Sequence, residues 1–155
     1  MPLTDVAPIE ASIEIAAPPA RVWGLVSDPR NYSRWSPQTK KTIVRGGVVK
    51  PGAKMFNING RGLLVWPTQA MIKTVEPEKK FAFKVRENWT VWSFELAPNA
   101  DGGTTLTQRR EAPDGISDLS VRLTKVAFGG VPAFTDELRS GMEQSLAKLK
   151  AEAER

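Results

Sequence analysis

The sequence contains no cysteine and no histidine. A chain without cysteine forms no disulfide and offers no thiolate nucleophile or thiolate metal ligand. A chain without histidine lacks the commonest general base and the commonest metal ligand. These two absences exclude serine–histidine and cysteine–histidine hydrolases, histidine-based zinc enzymes and histidine-bound haem. We therefore expect neither a metal nor another cofactor.

Long apolar runs are also missing. No stretch approaches the roughly 20 residues that cross a bilayer, and residues 1–5 lack the basic start and apolar run of a signal peptide. We expect a cytoplasmic protein with no stable membrane insertion.

The chain is 41% hydrophobic and 25% charged, which is typical of a globular protein, and its 155 residues fit a single domain over residues 1–155.

Acidic residues are absent from one long segment of a chain whose net charge is +5. No Asp or Glu lies between Asp28 and Glu76, where the basic residues are Arg30, Arg34, Lys40, Lys41, Arg45, Lys50, Lys54, Arg61 and Lys73. They are spread over several predicted strands and accompany no recognisable nucleic-acid-binding module. We interpret them as a solvated basic face and expect no nucleic-acid partner. An anionic ligand or a membrane surface is the alternative.

Alternation of apolar and polar residues predicts strands along most of the chain. Turn residues such as Lys50-Pro51-Gly52 separate the segments. The predicted strands are Ile9–Ile15, Thr39–Val49, Lys54–Asn59, Leu63–Val75, Phe81–Val85, Trp92–Leu96 and Thr104–Glu111. Pro67 indicates an edge, a bend or a bulge in the first part of its strand. A hairpin through Asp101-Gly102 places Phe94 near Leu106.

Helical spacing appears in two places. Two short helices are predicted after the first strand, Ala20–Val26 and Asn31–Ser36, with Pro19 in the first turn of the former. In the tail, Ile116–Val126 has helical spacing, and a long helix runs from Pro132 to Ala153. At 1.5 Å per residue this last helix is about 34 Å long. It is the only large apolar element left to cover one face of an antiparallel sheet, so the sheet and helix enclose space between them.

Several segments carry a resemblance to a known family over about Ile9 to Lys150. They are Ile13–Trp23, Asp28–Pro37, Val75-Glu76-Pro77, Trp92–Leu96 and Gly102–Thr107. Their order resembles the polyketide cyclase/dehydratase branch of the START-like, birch-pollen-allergen-like (SRPBCC) superfamily. The resemblance implies an α+β helix-grip fold, a curved antiparallel sheet of about seven strands wrapped around a long C-terminal helix, with two short helices after strand 1. Family members include lipid carriers, hormone receptors, aromatases and cyclases, so it also implies a hydrophobic cavity and a small apolar ligand.

Aromatic and apolar residues are the first candidates for lining such a cavity, since the chain has five tryptophans. Trp92 and Phe94 share a strand face, and Trp35 lies in the short helical segment that borders the cavity mouth in the family. The candidate ligand-binding residues of this kind are Trp35, Trp66, Phe83, Trp92, Phe94, Phe134 and Leu138. The alternative for each is ordinary packing against the C-terminal helix.

Polar candidates are fewer. Asn57 (with Asn59 at the same parity) and Gln108 are candidate ligand-binding residues. Arg110 shares the face of Gln108; an exposed strand end is the favoured interpretation and a ligand anchor is the alternative. The candidate catalytic residues are Tyr32, Arg110 and Glu111, and we predict that they do not form one cluster.

Two functions fit these residues best. The first is binding or transfer of a small hydrophobic ligand, a lipid or a polyketide-like compound, in a cavity between the sheet and the C-terminal helix. The second is a polyketide cyclase/dehydratase-type reaction in the same cavity, in which the protein folds the substrate and stabilises an enolate. A regulatory partner bound by the basic face is a third. The sequence indicates no oligomeric state.

Overall fold

Seven antiparallel strands form one curved, open sheet in the order β1-β7-β6-β5-β4-β3-β2. The structure is a computed structural model that describes residues 7–115 and 131–155, without the side chains of residues 131–134. The strands are β1 (Ile9–Ile15), β2 (Thr39–Val44), β3 (Lys54–Arg61), β4 (Leu64–Glu76), β5 (Lys80–Val85), β6 (Val91–Pro98) and β7 (Thr104–Glu111). The helices are α1 (Pro19–Val26), a 3-10 helix (Pro29–Arg34) and α2 (Val131–Ala153). This arrangement confirms the fold expected from the sequence.

The strands β6 and β7 form the predicted hairpin, which closes between Pro98 and Thr104. Phe94 lies opposite Gln108, and Leu96 lies opposite Leu106. Leu106 is therefore a diagonal neighbour of Phe94 on the same face of the sheet. Because side chains alternate with a period of two, Gln108 and Arg110 share this face.

The β6–β7 loop depends on a glycine because the backbone of β1 passes close by. A Cβ on Gly103 would lie 2.3 Å from the backbone oxygen of Ile15, which is too close for any side chain. Asn99 closes the loop, since its Oδ1 accepts hydrogen bonds from the backbone of Asp101 and Gly103 at 3.0 and 2.9 Å. The loop therefore packs against the end of β1. The inner face of β7, which begins directly after the loop, is buried in the core at this end.

The helix α2 is held at its C-terminal end by polar contacts. Glu154 Oε2 accepts a hydrogen bond from the backbone of Ala16 at 2.8 Å, and Glu152 Oε2 accepts one from the Trp35 indole at 2.8 Å. Arg34 forms an ion pair with Glu152. Leu146 and Leu149, both almost wholly buried, join the core beneath. These contacts fix the last two turns of the helix against β1 and the segment after the 3-10 helix.

Some element boundaries differ from those predicted. Strand β2 ends at Val44 instead of Val49, because Gly46 and Gly47 adopt positive φ angles of 80° and 75° in a turn. Strand β4 runs through Pro67, which lies opposite Ile58 of β3. Pairing of β4 with β5 begins only at Ala70, so Pro67 occupies a local edge, as its missing N–H requires. The predicted helix at Ile116–Val126 lies outside the described residues.

None of the described helices has both the length and the apolar character that crossing a membrane requires.

Candidate functional site

A cavity of about 500 Å³ lies between the inner face of the sheet and the helix α2. Strands β3 to β7 form its floor and walls, and the segment from Tyr32 to Lys40 borders one side. The roof comes from residues of α2 between Glu137 and Leu149. The helix approaches the rim closely: a Cβ on Gly141 would lie 3.3 Å from Pro37 Cγ. The volume is within the usual range for small-molecule sites, about 300–1,000 Å³.

Aromatic rings form one wall of the cavity. The Tyr32 ring lies 5.6 Å from that of Phe94, 6.1 Å from that of Phe83 and 6.3 Å from that of Trp35, in tilted contacts. Phe83 lies directly opposite Trp92 across β5 and β6. Such tilted ring contacts stabilise packing beyond the area they bury. The wall is therefore a rigid apolar surface, and Phe83 and Trp92 remain only partly buried where they face the cavity.

Polar side chains form a second wall, on the inner faces of β3 and β4. Asn57, Asn59 and Thr68 line the cavity there. Asn59 Nδ2 donates to Thr68 Oγ1 at 3.0 Å, and Asn57 Nδ2 also reaches Thr68 Oγ1 at 3.4 Å. Thr42 of β2 does not line the cavity, and its Oγ1 donates to Asn57 Oδ1 at 2.8 Å. These hydrogen bonds satisfy the polar groups within the protein.

The inner face of β7 contributes two polar side chains, Gln108 and Arg110. Arg110 is only 7% exposed, and no hydrogen bond or ion pair joins its guanidinium to any described residue. Its neighbours across the sheet are Ile9 of β1 and Trp92 of β6. Burial lowers the pKa of Arg110 from its usual 12.5 to about 10. Gln108 Oε1 is likewise buried with no hydrogen-bond partner in the described part of the chain.

The favoured interpretation of Arg110 as an exposed strand end is wrong. Ile9 and Trp92 lie opposite Arg110 on the neighbouring strands, and Trp92 packs against a buried cluster formed by Ile9, Leu138 and Met142. These residues of β1, β6 and α2 come from distant parts of the sequence. The pattern of β7 alone therefore does not indicate that Arg110 is buried.

Tyr32 lines the cavity but its hydroxyl is already engaged. The hydroxyl donates a hydrogen bond to the backbone oxygen of Val26 at 3.0 Å. Burial, and secondarily the charge of Asp28, raises the pKa of Tyr32 well above its usual value. A phenol in this state holds the 3-10 helix to α1 and is a poor proton acceptor.

Glu111 does not line the cavity, which corrects its candidacy as a catalytic residue. It follows Arg110 by one residue and so lies on the opposite, outer face of β7. There its Oε1 lies 2.8 Å from Arg109 Nε, as a close ion pair without hydrogen-bond geometry. The three candidate catalytic residues therefore do not share one cavity wall.

Among the described residues, the carboxylate that lines the cavity is Glu137, in the N-terminal half of α2. Its Oε1 accepts a hydrogen bond from Arg61 Nε at 2.6 Å, and its Oε2 accepts one from Gln38 Nε2 at 3.1 Å. The contact between Glu137 and Arg61 joins α2 to the β3–β4 hairpin at the cavity mouth. Glu137 was not among the residues predicted from the sequence, although the adjacent Leu138 was.

Eight of the nine candidate ligand-binding residues line this one cavity, and the side chain of the ninth, Phe134, lies outside the described residues. The eight are Trp35, Asn57, Trp66, Phe83, Trp92, Phe94, Gln108 and Leu138. Trp35 combines two roles, since its ring lines the cavity while its indole N–H is bonded to Glu152. Thr68 and Ser145 also line the cavity and were not predicted.

No group of three or more Asp or Glu side chains suited to a metal ion occurs among the described residues.

A curved antiparallel sheet that grips a long C-terminal helix over a cavity defines the helix-grip class of protein. Solved structures of the same fold include a protein from Chromobacterium violaceum, with a TM-score of 0.69 at 20% identity, covering 97% of this chain and 99% of that one. A Polyketide_cyc-like protein from Corynebacterium glutamicum has a TM-score of 0.58 at 22% identity, covering 96% and 89%. The di-domain ARO/CYC StfQ from the steffimycin biosynthetic pathway has a TM-score of 0.72 at 14% identity, covering 95% of this chain and 50% of that one.

The present chain thus spans half the length of that di-domain protein. No curated protein matches the chain. The family model described as polyketide cyclase / dehydrase and lipid transport matches residues 7–154. The chain belongs to this family.

Proposed function

We propose that the protein binds a small, largely hydrophobic molecule, a lipid or a polyketide-like compound, in the cavity beneath α2. The observation that carries the proposal is the volume of about 500 Å³ with a wall of aromatic rings, left open in a fold whose other half is filled by side chains. The family description, which includes lipid transport, supports it. Binding or carrying such a molecule needs no general base.

The proposal is tested by titration with N-phenyl-1-naphthylamine, an uncharged apolar fluorophore. Trp92→Ala removes part of the aromatic wall, and the buried area lost corresponds to about 1 kcal/mol or more of binding free energy. We expect the dissociation constant to rise at least fivefold. Phe56→Ala is the matched control, because Phe56 is 41% exposed and does not line the cavity.

Two results would contradict binding in this cavity. One is a wild-type protein that does not take up the fluorophore and carries no extra mass in native mass spectrometry. The other is an equal loss of affinity in Trp92→Ala and Phe56→Ala, since that would place the fluorophore elsewhere.

A polyketide cyclase/dehydratase-type reaction is the second candidate, favoured by one observation. Arg110 and Gln108 Oε1 line the cavity without a hydrogen-bond partner among the described residues, and a cation there could stabilise an enolate. Such a reaction also needs a side chain that accepts a proton from the substrate. The two possible acceptors named above are both engaged, because the Tyr32 hydroxyl is hydrogen-bonded to Val26 and Glu137 is paired with Arg61. Turnover of a poly-β-carbonyl substrate that is lost in Arg110→Met would place this candidate first.

A further inference from the structure

Two polar side chains on one strand, Gln108 and Arg110, line the cavity. Gln108 and Arg110 are two residues apart on β7, so both project from its inner face. Gln108 lies opposite Phe94 and Arg110 lies opposite Trp92, which puts both next to the aromatic wall. The described part of the chain gives neither the Arg110 guanidinium nor Gln108 Oε1 a partner.

An unpaired guanidinium in this position is costly for the protein. A charge taken out of water loses its hydration, and only a partner of opposite charge with hydrogen bonds compensates for that loss. Glu137, the carboxylate that lines the cavity, is held by Arg61 and Gln38 at the mouth. The pKa of Arg110 is lowered by burial alone, with no opposing contribution from a nearby acid.

Arg109, the residue before Arg110, provides a comparison on the same strand. Arg109 points to the outer face, where it lies 2.8 Å from Glu111 and 3.5 Å from Glu10. The strand therefore carries one arginine with two carboxylate neighbours and one with none among the described residues. Arg110 lines the cavity, so a partner for its guanidinium can approach from that side.

We propose that the cavity selects an amphipathic anion, whose oxyanion group binds the Arg110 guanidinium and whose apolar body lies along Trp92 and Phe94. This specifies the ligand class for the function proposed above and rests on it. A guanidinium binds a carboxylate or a phosphate through two parallel hydrogen bonds, which gives orientation as well as affinity. Gln108 Oε1 adds an acceptor on the same face, suited to a hydroxyl group of the ligand near its anionic end.

The experiment is a displacement titration with N-phenyl-1-naphthylamine as the neutral reporter. The competitors are decanoate, decyl phosphate and 1-decanol, which share one alkyl chain and differ in the head group. We expect at least one of the two anions to displace the reporter from the wild-type protein at a concentration at least tenfold below that of 1-decanol. The tighter anion identifies the oxyanion that the site prefers.

Two variants test whether the preference for anions over 1-decanol depends on Arg110. Arg110→Met keeps the length of the side chain and removes the charge, so the anions should lose their advantage over 1-decanol when all three competitors are compared within this variant, at the reporter affinity measured for it. Arg109→Met removes a charge from the outer face of the same strand and should leave the preference intact. If Arg110→Met fails to fold, Arg110→Lys replaces it: a point charge on a shorter reach should reduce the preference without abolishing it.

The outcomes separate the two proposals. A reporter that does not bind overturns the proposed function and the anion site with it. Binding of the reporter with equal displacement by all three competitors overturns the anion site alone. So does an anion preference that survives unchanged in Arg110→Met, or in Arg110→Lys where that variant is the one measured, or one that disappears equally in Arg109→Met.

Discussion

The two halves of the inner sheet face are built from the same strands and differ in what fills the space above them. On β7, Thr104 and Leu106 are fully buried in the core, whereas Gln108 and Arg110 face the cavity. The same change occurs along β5, where Phe81 is fully buried and Phe83 lines the cavity. We refer to these parts as the closed half and the open half.

The difference between them comes from what lies across the sheet. In the closed half, Leu146 of α2 belongs to the same buried core cluster as Ile15 and Leu106 on the inner face of the sheet. In the open half, α2 is joined to the cavity mouth by the hydrogen bonds of Glu137 with Arg61 and Gln38, and the cavity lies between the helix and the sheet. Close packing in one half therefore supplies stability, and the space in the other is available for a ligand. Substitutions in the two halves should have different consequences.

The largest effect on stability is expected for Leu106→Ala in the closed half. Leu106 is fully buried, and removing its side chain leaves a cavity that the close-packed surroundings fill only in part. We expect the free energy of unfolding to fall by about 2–5 kcal/mol, measured by urea denaturation. Reporter affinity below the unfolding transition should be unchanged. A loss of affinity as large as that of Trp92→Ala would show that the two halves are not separable.

A smaller effect of opposite sign is expected for Arg110→Met in the open half. The lowered pKa of Arg110, about 10, reflects a charge that burial disfavours. Replacing a buried ion pair by well-packed apolar residues stabilises proteins by about 1–4 kcal/mol in favourable cases, and a buried charge without a partner carries the same kind of desolvation cost. We expect the unliganded variant to gain about 1–3 kcal/mol on the same scale. Arg109→Met is the control, and a loss of stability confined to Arg110→Met would mean that the guanidinium has a structural partner.

The closed half could be predicted from the sequence to a large extent. The alternation in β1 and the hairpin residues around Gly102 determine which side chains face inward. Ile15 and Leu106 lie in the core cluster for this reason. The face of a strand residue is a local property, and local patterns report it well.

The chemistry of the open half could not be predicted in the same way. The burial of Arg110 depends on Ile9, Trp92 and two residues of α2, which lie far apart in the sequence. The role of Glu137 depends on where the β3–β4 hairpin places Arg61. Pairings of this kind arise from the tertiary arrangement, and no spacing in the sequence encodes them. Glu111 was a candidate as the obvious carboxylate of the later strands, and its alternation with Arg110 places it on the outer face of β7.

The smallest effect concerns the pH dependence of the closed half. Glu154 ties the end of α2 to β1, and the hydrogen bond from the Ala16 backbone is the main cause that lowers the pKa of this carboxyl, followed by Lys150. A carboxyl whose pKa is lower in the folded state stabilises the fold above its unfolded value of 4.5. This stabilisation is lost as the pH falls through the lowered folded value. Glu154→Gln keeps an acceptor for the Ala16 N–H but does not titrate, so the variant should show a shallower decline of the thermal midpoint between about pH 5 and pH 3. Glu143→Gln, at an exposed position of the same helix, should decline as the wild type does. Identical curves for all three proteins would show that Glu154 contributes nothing to closing this end of the molecule.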